Sequence, residues 1–352
     1  MGPQNRITKR CEGANYPSRF NRLTYRWPGR VLRLSLLALA GALSLGCGEQ
    51  DIRVTERLPA PPAPISPDRG RVQVREGNLL TDKGTRLRGV TFGVDANPAF
   101  PFDEALFDEL AQRSGLNAFH VYLENPAFEA GAHVAQADLL VELTSKAGMY
   151  LVLGIGGGSL GGSFELESVL AFWSFYAERY AERTHVLYEI QNIPQRLCDE
   201  PYAADALQME RQAYASIRAA APSTHIALFS FISAPSPSAL EQNLDALAPD
   251  VDWSKASVAF HAVDCAGTNH VASMVAGARA RNVAAFASEL PYDSVLDTTA
   301  LLEQERTGWF NFEWIVLNQQ LSEFREAHDA AGVTWCPDFG SWPEDSQTCS
   351  TP

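Results

Sequence analysis

The sequence predicts an α/β fold, a (β/α)8 TIM-type barrel with a small β-hairpin plug at its N-terminal side. Three observations predict it. Eight short strand-like runs follow one another between residues 87 and 312. Amphipathic helix-like runs lie between them. The strand-like runs are apolar throughout, as parallel strands buried on both faces require. The chain has 352 residues, enough for one large barrel or two ordinary domains. With 46% hydrophobic and 20% charged residues it can fill a large core.

Residues 1–46 read as a leader. They carry eight basic residues, Arg6, Lys9, Arg10, Arg19, Arg22, Arg26, Arg30 and Arg33, against one acid, Glu12. The apolar run Leu34 to Leu45 follows and ends at Gly46-Cys47. A basic region, a short apolar region and small residues at the cut describe a secretory signal. The run is shorter than the roughly 20 residues a spanning helix needs. Leu43-Ser44-Leu45-Gly46-Cys47 resembles a bacterial lipobox, which implies lipid on Cys47 and a membrane anchor. Gly48 after the cysteine fits transfer to the outer membrane.

The remaining chain has 41 acidic against 20 basic residues. Such a surface repels phosphate backbones, so nucleic acid is excluded as a partner, while neutral glycans are not. Cys198, Cys265, Cys336 and Cys349 are an even set for an oxidising compartment. Of their three pairings, Cys336–Cys349 would staple the tail and Cys198–Cys265 would tie two loops at one barrel face. No cysteine shows metal spacing, and no cofactor is implied.

Residues 47–71 form a linker centred on Leu58-Pro59-Ala60-Pro61-Pro62-Ala63-Pro64, an extended spacer. The folded domain is expected over 72–335, with a tail at 336–352. Val72-Gln73-Val74 alternates, Glu76-Gly77-Asn78 marks a turn, and Leu79-Leu80 follows before Asp82-Lys83-Gly84, which reads as a hairpin. The predicted barrel strands are Leu87–Phe92, Ala118–Leu123, Tyr150–Gly154, Val186–Ile190, Ile226–Phe229, Ser257–His261, Ala284–Ser288 and Trp309–Phe312. Helices are predicted over Asp103–Arg113, with Asp103 as cap, and over Leu139–Lys146, Val169–Tyr180, Leu301–Glu305 and Leu321–Ala331. A doubly wound sheet would want a phosphate-binding glycine fingerprint at its first strand, which is absent. The run Gly154 to Gly162 lacks the Gly-Lys-Ser/Thr of a P-loop and reads as a loop over the mouth.

Functional residues of such barrels sit at the C-terminal ends of strands. Here those ends read Leu87-Arg88-Gly89-Val90-Thr91, Gly115-Leu116-Asn117-Ala118-Phe119-His120, Tyr188-Glu189-Ile190-Gln191-Asn192-Ile193-Pro194 and Ala287-Ser288-Glu289-Leu290. Together they resemble glycoside hydrolase family 5, the cellulase family, over about residues 72 to 332. The resemblance implies a retaining glycosidase that acts on β-linked oligo- or polysaccharide, with the hairpin plugging the barrel's bottom. It makes Glu289 the nucleophile. It makes Asn192 and His261 substrate-binding residues, and gives His120 the place of the family's nucleophile-orienting arginine. Trp309 and Trp314 are the candidate sugar platforms.

Two further positions depart from the family pattern. Ile193 stands where the family has its acid/base glutamate, and Val263 where it has the tyrosine that touches the nucleophile. A branched alkane cannot protonate a leaving oxygen. Either the acid is relocated, to Glu124, Asp199, Glu200, Asp264 or Glu313, or the protein binds glycan without turnover. A different hydrolase on the same barrel is disfavoured, because no Gly-x-Ser-x-Gly elbow or His-Glu-x-x-His site occurs. No oligomer signal is read, and a monomer is expected.

Overall fold

In the computed structural model, residues 68–95, 97–113, 115–156, 166–195, 200–263, 270–291 and 295–312 are described. The leader, the linker up to residue 67, Trp314, Asp199, Asp264, Glu313, the six cysteines and the predicted helix Leu321–Ala331 lie outside these residues.

A hairpin opens the fold. Strands β1 (Gln73–Arg75) and β2 (Asn78–Leu80) pair antiparallel through Val74 and Leu79. Gly77, at φ 69°, makes the turn, and a side chain there would strike the Arg279 backbone at 2.7 Å. Eight parallel strands follow: β3 (Arg88–Gly93), β4 (Ala118–Tyr122), β5 (Tyr150–Gly154), β6 (Val186–Glu189), β7 (Ile226–Phe231), β8 (Ala256–His261), β9 (Ala284–Pro291) and β10 (Gly308–Phe312). They close in chain order, β10 returning to β3, into a barrel. The predicted (β/α)8 architecture is therefore present.

Helices α1 (Glu104–Asp108), α2 (Val134–Lys146), α3 (Leu166–Arg179), α4 (Ala204–Ala220), α5 (Pro237–Leu247), α6 (Val271–Ala280) and α7 (Val295–Gln304) fill the intervals between strands. Asp103 caps α1 by accepting from the Leu106 amide at 2.9 Å. A π-helical turn, Glu109–Arg113, then ends that helix. Helix α4 buries Ala206, Met209, Ala213 and Ile217, a three- and four-residue spacing on one face.

The core has two parts. One lies between strands and helices and includes Trp173, Tyr188, Leu228 and Trp309. The other fills the lower barrel with Leu87, Ala118, Val152, Leu187, Phe286 and Phe310, and Val72, Val74 and Leu79 of the hairpin region pack against it. The hairpin thus plugs the barrel end opposite the strand C-termini. Asp68 is fastened at that same end. It accepts from Ser145 at 2.7 Å and Arg183 Nε at 2.8 Å, and His185 Nδ1 lies 3.1 Å away. Burial alone would raise the Asp68 carboxyl, but His185 and Arg183 hold it well below the usual range.

Candidate functional site

Going up the barrel, apolar layers give way to polar ones. On β4, Ala118, His120 and Tyr122 share a face by the two-residue period of a strand. Ala118 belongs to the apolar plug. His120 is fully buried above it, with Nε2 at 2.9 Å from Oε2 of Glu189, itself fully buried. His120 Nδ1 lies 3.2 Å from the Ser288 carbonyl and 3.1 Å from Thr91 Oγ1. The Thr91 hydroxyl donates to that same carbonyl at 2.8 Å. Both imidazole nitrogens therefore face acceptors. Burial opposes ionisation of Glu189, but His120 beside it holds its pKa below the usual 4.5, helped by Ser230 and His261.

Glu289 forms the next layer. Its carboxylate takes the Tyr122 hydroxyl at 2.9 Å and the Asn192 amide at 3.2 Å on Oε1. His261 Nδ1 lies 3.2 Å from Oε2. These partners come from the ends of β4, β6 and β8. Burial, then Glu189 and Glu289, push the Tyr122 hydroxyl well above its ordinary value, so it stays a donor.

A bulge aims Glu289 inward. Ala284 and Phe286 belong to the barrel interior, so strict alternation would point Ser288 inward and Glu289 out. The pairing of β9 shifts by one residue against both neighbours. Phe260 and His261 of β8 face Ala287 and Glu289, and Trp309 and Asn311 of β10 face Ala287 and Leu290. The extra residue turns the glutamate into the barrel.

Glycines at the end of β5 make room. A Cβ on Gly156 would lie 2.2 Å from the Tyr122 Cβ, and one on Gly154 would lie 3.2 Å from the Glu189 carbonyl. The Gly156 amide donates to the Glu124 carbonyl at 2.7 Å, which holds this crossing in place.

Asn192 and His261 thus meet at Glu289. His120 does not; it sits one layer below, against Glu189. Trp309 is fully buried on the helix side, and its indole donates to Glu303 at 2.8 Å. It offers no face to a sugar, because residues 309 and 310 alternate and Phe310 takes the inward position.

Glu124 is buried, accepting from the Gly131 and His133 amides at 3.1 and 3.0 Å and from the Tyr176 hydroxyl at 2.5 Å. It pins the loop after β4. Glu200 is exposed, and Val263 is half-buried. Ile193 is half-buried with φ 43°, a left-handed conformation that a β-branched residue rarely adopts.

Sequence reasoning missed Tyr122. Its signal was the alternation with His120 on one strand. The same loop after β4 carries Phe128, 40% exposed and edge-on to His133.

No family model matches the chain, and no curated protein matches it. Solved structures do resemble it. The catalytic domain of Thermobifida fusca endoglucanase Cel5A is 18% identical over 69% of this chain and 84% of its own, with a TM-score of 0.52. A Thermomonospora fusca β-mannanase, in complex with mannohexaose, is 15% identical over 70% of this chain and 84% of its own, with a TM-score of 0.53. A Saccharophagus degradans β-glucanase is 13% identical over 77% of this chain and 97% of its own, with a TM-score of 0.55. At such identities the likeness is one of fold: this chain has the barrel of cellulase-like and mannanase-like glycoside hydrolases.

Proposed function

We propose that this chain is a glycoside hydrolase-like protein directed at β-linked glycan, with Glu289 in the nucleophile's place and no usual acid/base. One observation carries the reading. At the C-terminal end of the barrel, Tyr122, Asn192 and His261 converge on the Glu289 carboxylate. A carboxylate held by three groups is oriented for attack at an anomeric carbon. Retaining cleavage also needs a second carboxyl about 5–5.5 Å away to protonate the leaving oxygen. Ile193 occupies the acid's sequence position. Glu124 is committed to its loop and Glu189 to His120. Acid assistance is typically worth ~10²–10⁴-fold, so cleavage is expected mainly where the leaving group departs unaided.

A second reading, a non-catalytic glycan-binding protein, is favoured by Ile193 itself. Phe128 then gains importance as an exposed ring on the mouth side, because aromatic faces stack on sugars.

The test is turnover of aryl β-glycosides with activated and unactivated leaving groups, by the chain and its Glu289→Gln variant. Cleavage of activated compounds alone, lost in the variant, supports a live nucleophile without an acid. Equal cleavage of both classes means a relocated acid. No difference between the two proteins on any sugar supports the binding reading.

We also propose export through the secretory pathway and lipid attachment at Cys47, which would place the domain at the cell envelope. Fatty-acid labelling lost on Cys47→Ser tests it. Thiol titration with and without reductant tests whether Cys198, Cys265, Cys336 and Cys349 are paired.

A further inference from the structure

Strand β7 does not run straight through the barrel wall. Its pairing with β8 shifts between Leu228 and Phe231, so Phe229-Ser230 carry one extra residue. Both have positive φ, 74° and 40°. Neither is glycine, and such a conformation persists only where the surroundings hold it. Here they do. The Phe229 amide donates to Oε1 of Glu210 at 3.1 Å. The Tyr202 hydroxyl donates to the Phe229 carbonyl at 2.5 Å. The Phe229 ring stacks on Phe231 at 4.9 Å and meets Tyr202 edge-on at 5.5 Å. Glu210 stands on α4, fully buried behind the strand.

The bulge brings Ser230 to the site. Its hydroxyl lies 3.4 Å from His261 Nε2, and the other nitrogen of that ring meets Glu289 at 3.2 Å. Ser230 also helps hold the Glu189 carboxyl ionised. Serine, histidine and glutamate in this order match a hydrolytic triad. Two facts exclude that role for Ser230: it has no exposed surface, and the Glu189 carboxylate beside it opposes a developing oxyanion. The hydroxyl is a strut that sets the imidazole.

We propose that Glu210 is a positioning residue of this site: by holding the Phe229 amide it keeps the β7 bulge in the shape that aims Ser230 at His261 and Glu189. The inference rests on reading Glu289 and His261 as the site, and it assigns the supporting machinery on the helix side of β7. Burial pushes the Glu210 carboxyl up to about 8; the Phe229 amide pulls the other way, and Glu189 adds to the rise. Tyr202 and Glu189 are the titratable groups that face it. This rise favours the neutral carboxyl, which glutamine resembles in shape while keeping an acceptor oxygen.

The experiment uses the full chain with 15N-labelled histidine, read by the His261 ring resonances and by hydrogen exchange at Phe229. It needs no turnover, so it stands or falls apart from the catalytic reading. Glu210→Leu is expected to shift the His261 signals and speed Phe229 exchange by ~10-fold or more, because the amide loses its buried acceptor. Glu210→Gln is expected to match the parent in both at pH 7. Tyr202→Phe, which keeps the ring but removes the bond to the Phe229 carbonyl, is expected to move His261 in the same direction as Glu210→Leu. Unmoved His261 resonances in both Glu210→Leu and Tyr202→Phe would overturn the proposal, as would a glutamine variant as perturbed as the leucine one.

Discussion

Replacing His120 or Glu189 by leucine probes the polar layer beneath the site. The two groups meet at 2.9 Å and neither is exposed. Breaking a buried ion pair by removing one partner costs about 3–5 kcal/mol, since the other charge is left uncompensated. The two losses should differ. Without Glu189, His120 still has its Nδ1 contact with the Ser288 carbonyl. That leaves one unpaired buried nitrogen, a cost of about 1–3 kcal/mol. Without His120, Glu189 loses the main group that holds it ionised.

His120→Leu is therefore expected to be the worse variant, melting about 10 °C lower if each kcal/mol moves a barrel of this size by ~2–4 °C. The double variant should recover much of the loss, with a coupling above about 2 kcal/mol. Urea unfolding of all four proteins measures it. The pH dependence adds a check. The folded pKa of Glu189 lies below 4.5, so the pair's contribution is full above 4.5 and fades as pH falls through the folded value. His120→Leu should flatten that acid limb. Additive single losses, with coupling under about 0.5 kcal/mol, would refute the reasoning.

Gly156→Ala sets a Cβ 2.2 Å from the Tyr122 Cβ, and it should displace the tyrosine from Glu289. A loss of about 1–3 kcal/mol in unfolding and a moved Tyr122 resonance are expected. Ile193→Asn replaces a β-branched side chain at φ 43° by one that tolerates this region. Its melting temperature should equal or exceed the parent's, and a clear drop would show that the isoleucine's packing outweighs its strain. Glu124→Gln removes a carboxylate that accepts two amides and a hydroxyl. It should destabilise by about 1–3 kcal/mol and leave any pH–rate profile for glycoside cleavage unchanged. Disappearance of an acid limb would make Glu124 the relocated acid.

The sequence by itself determined the barrel. Apolar runs bounded by turns report strand position locally, and the predicted and observed strands differ by only a few residues at their ends, most in β9, which runs on to Pro291. The resemblance at the strand ends also picked out Glu289 and Asn192, which lie near the end of β9 and just after β6. It did not reveal which groups meet. Tyr122 and Glu289 are separated by 167 positions, and no local pattern pairs them. Val263 stands where the resemblance expects a tyrosine, and Tyr122 contributes a hydroxyl to Glu289 from another strand. His120 sits one layer below the place the resemblance assigned it, and Trp309 is turned toward the helices. A single extra residue in β9 or β7 reverses which side chains face inward, and such bulges arise from three-dimensional fit with neighbouring strands, which only the tertiary structure decides.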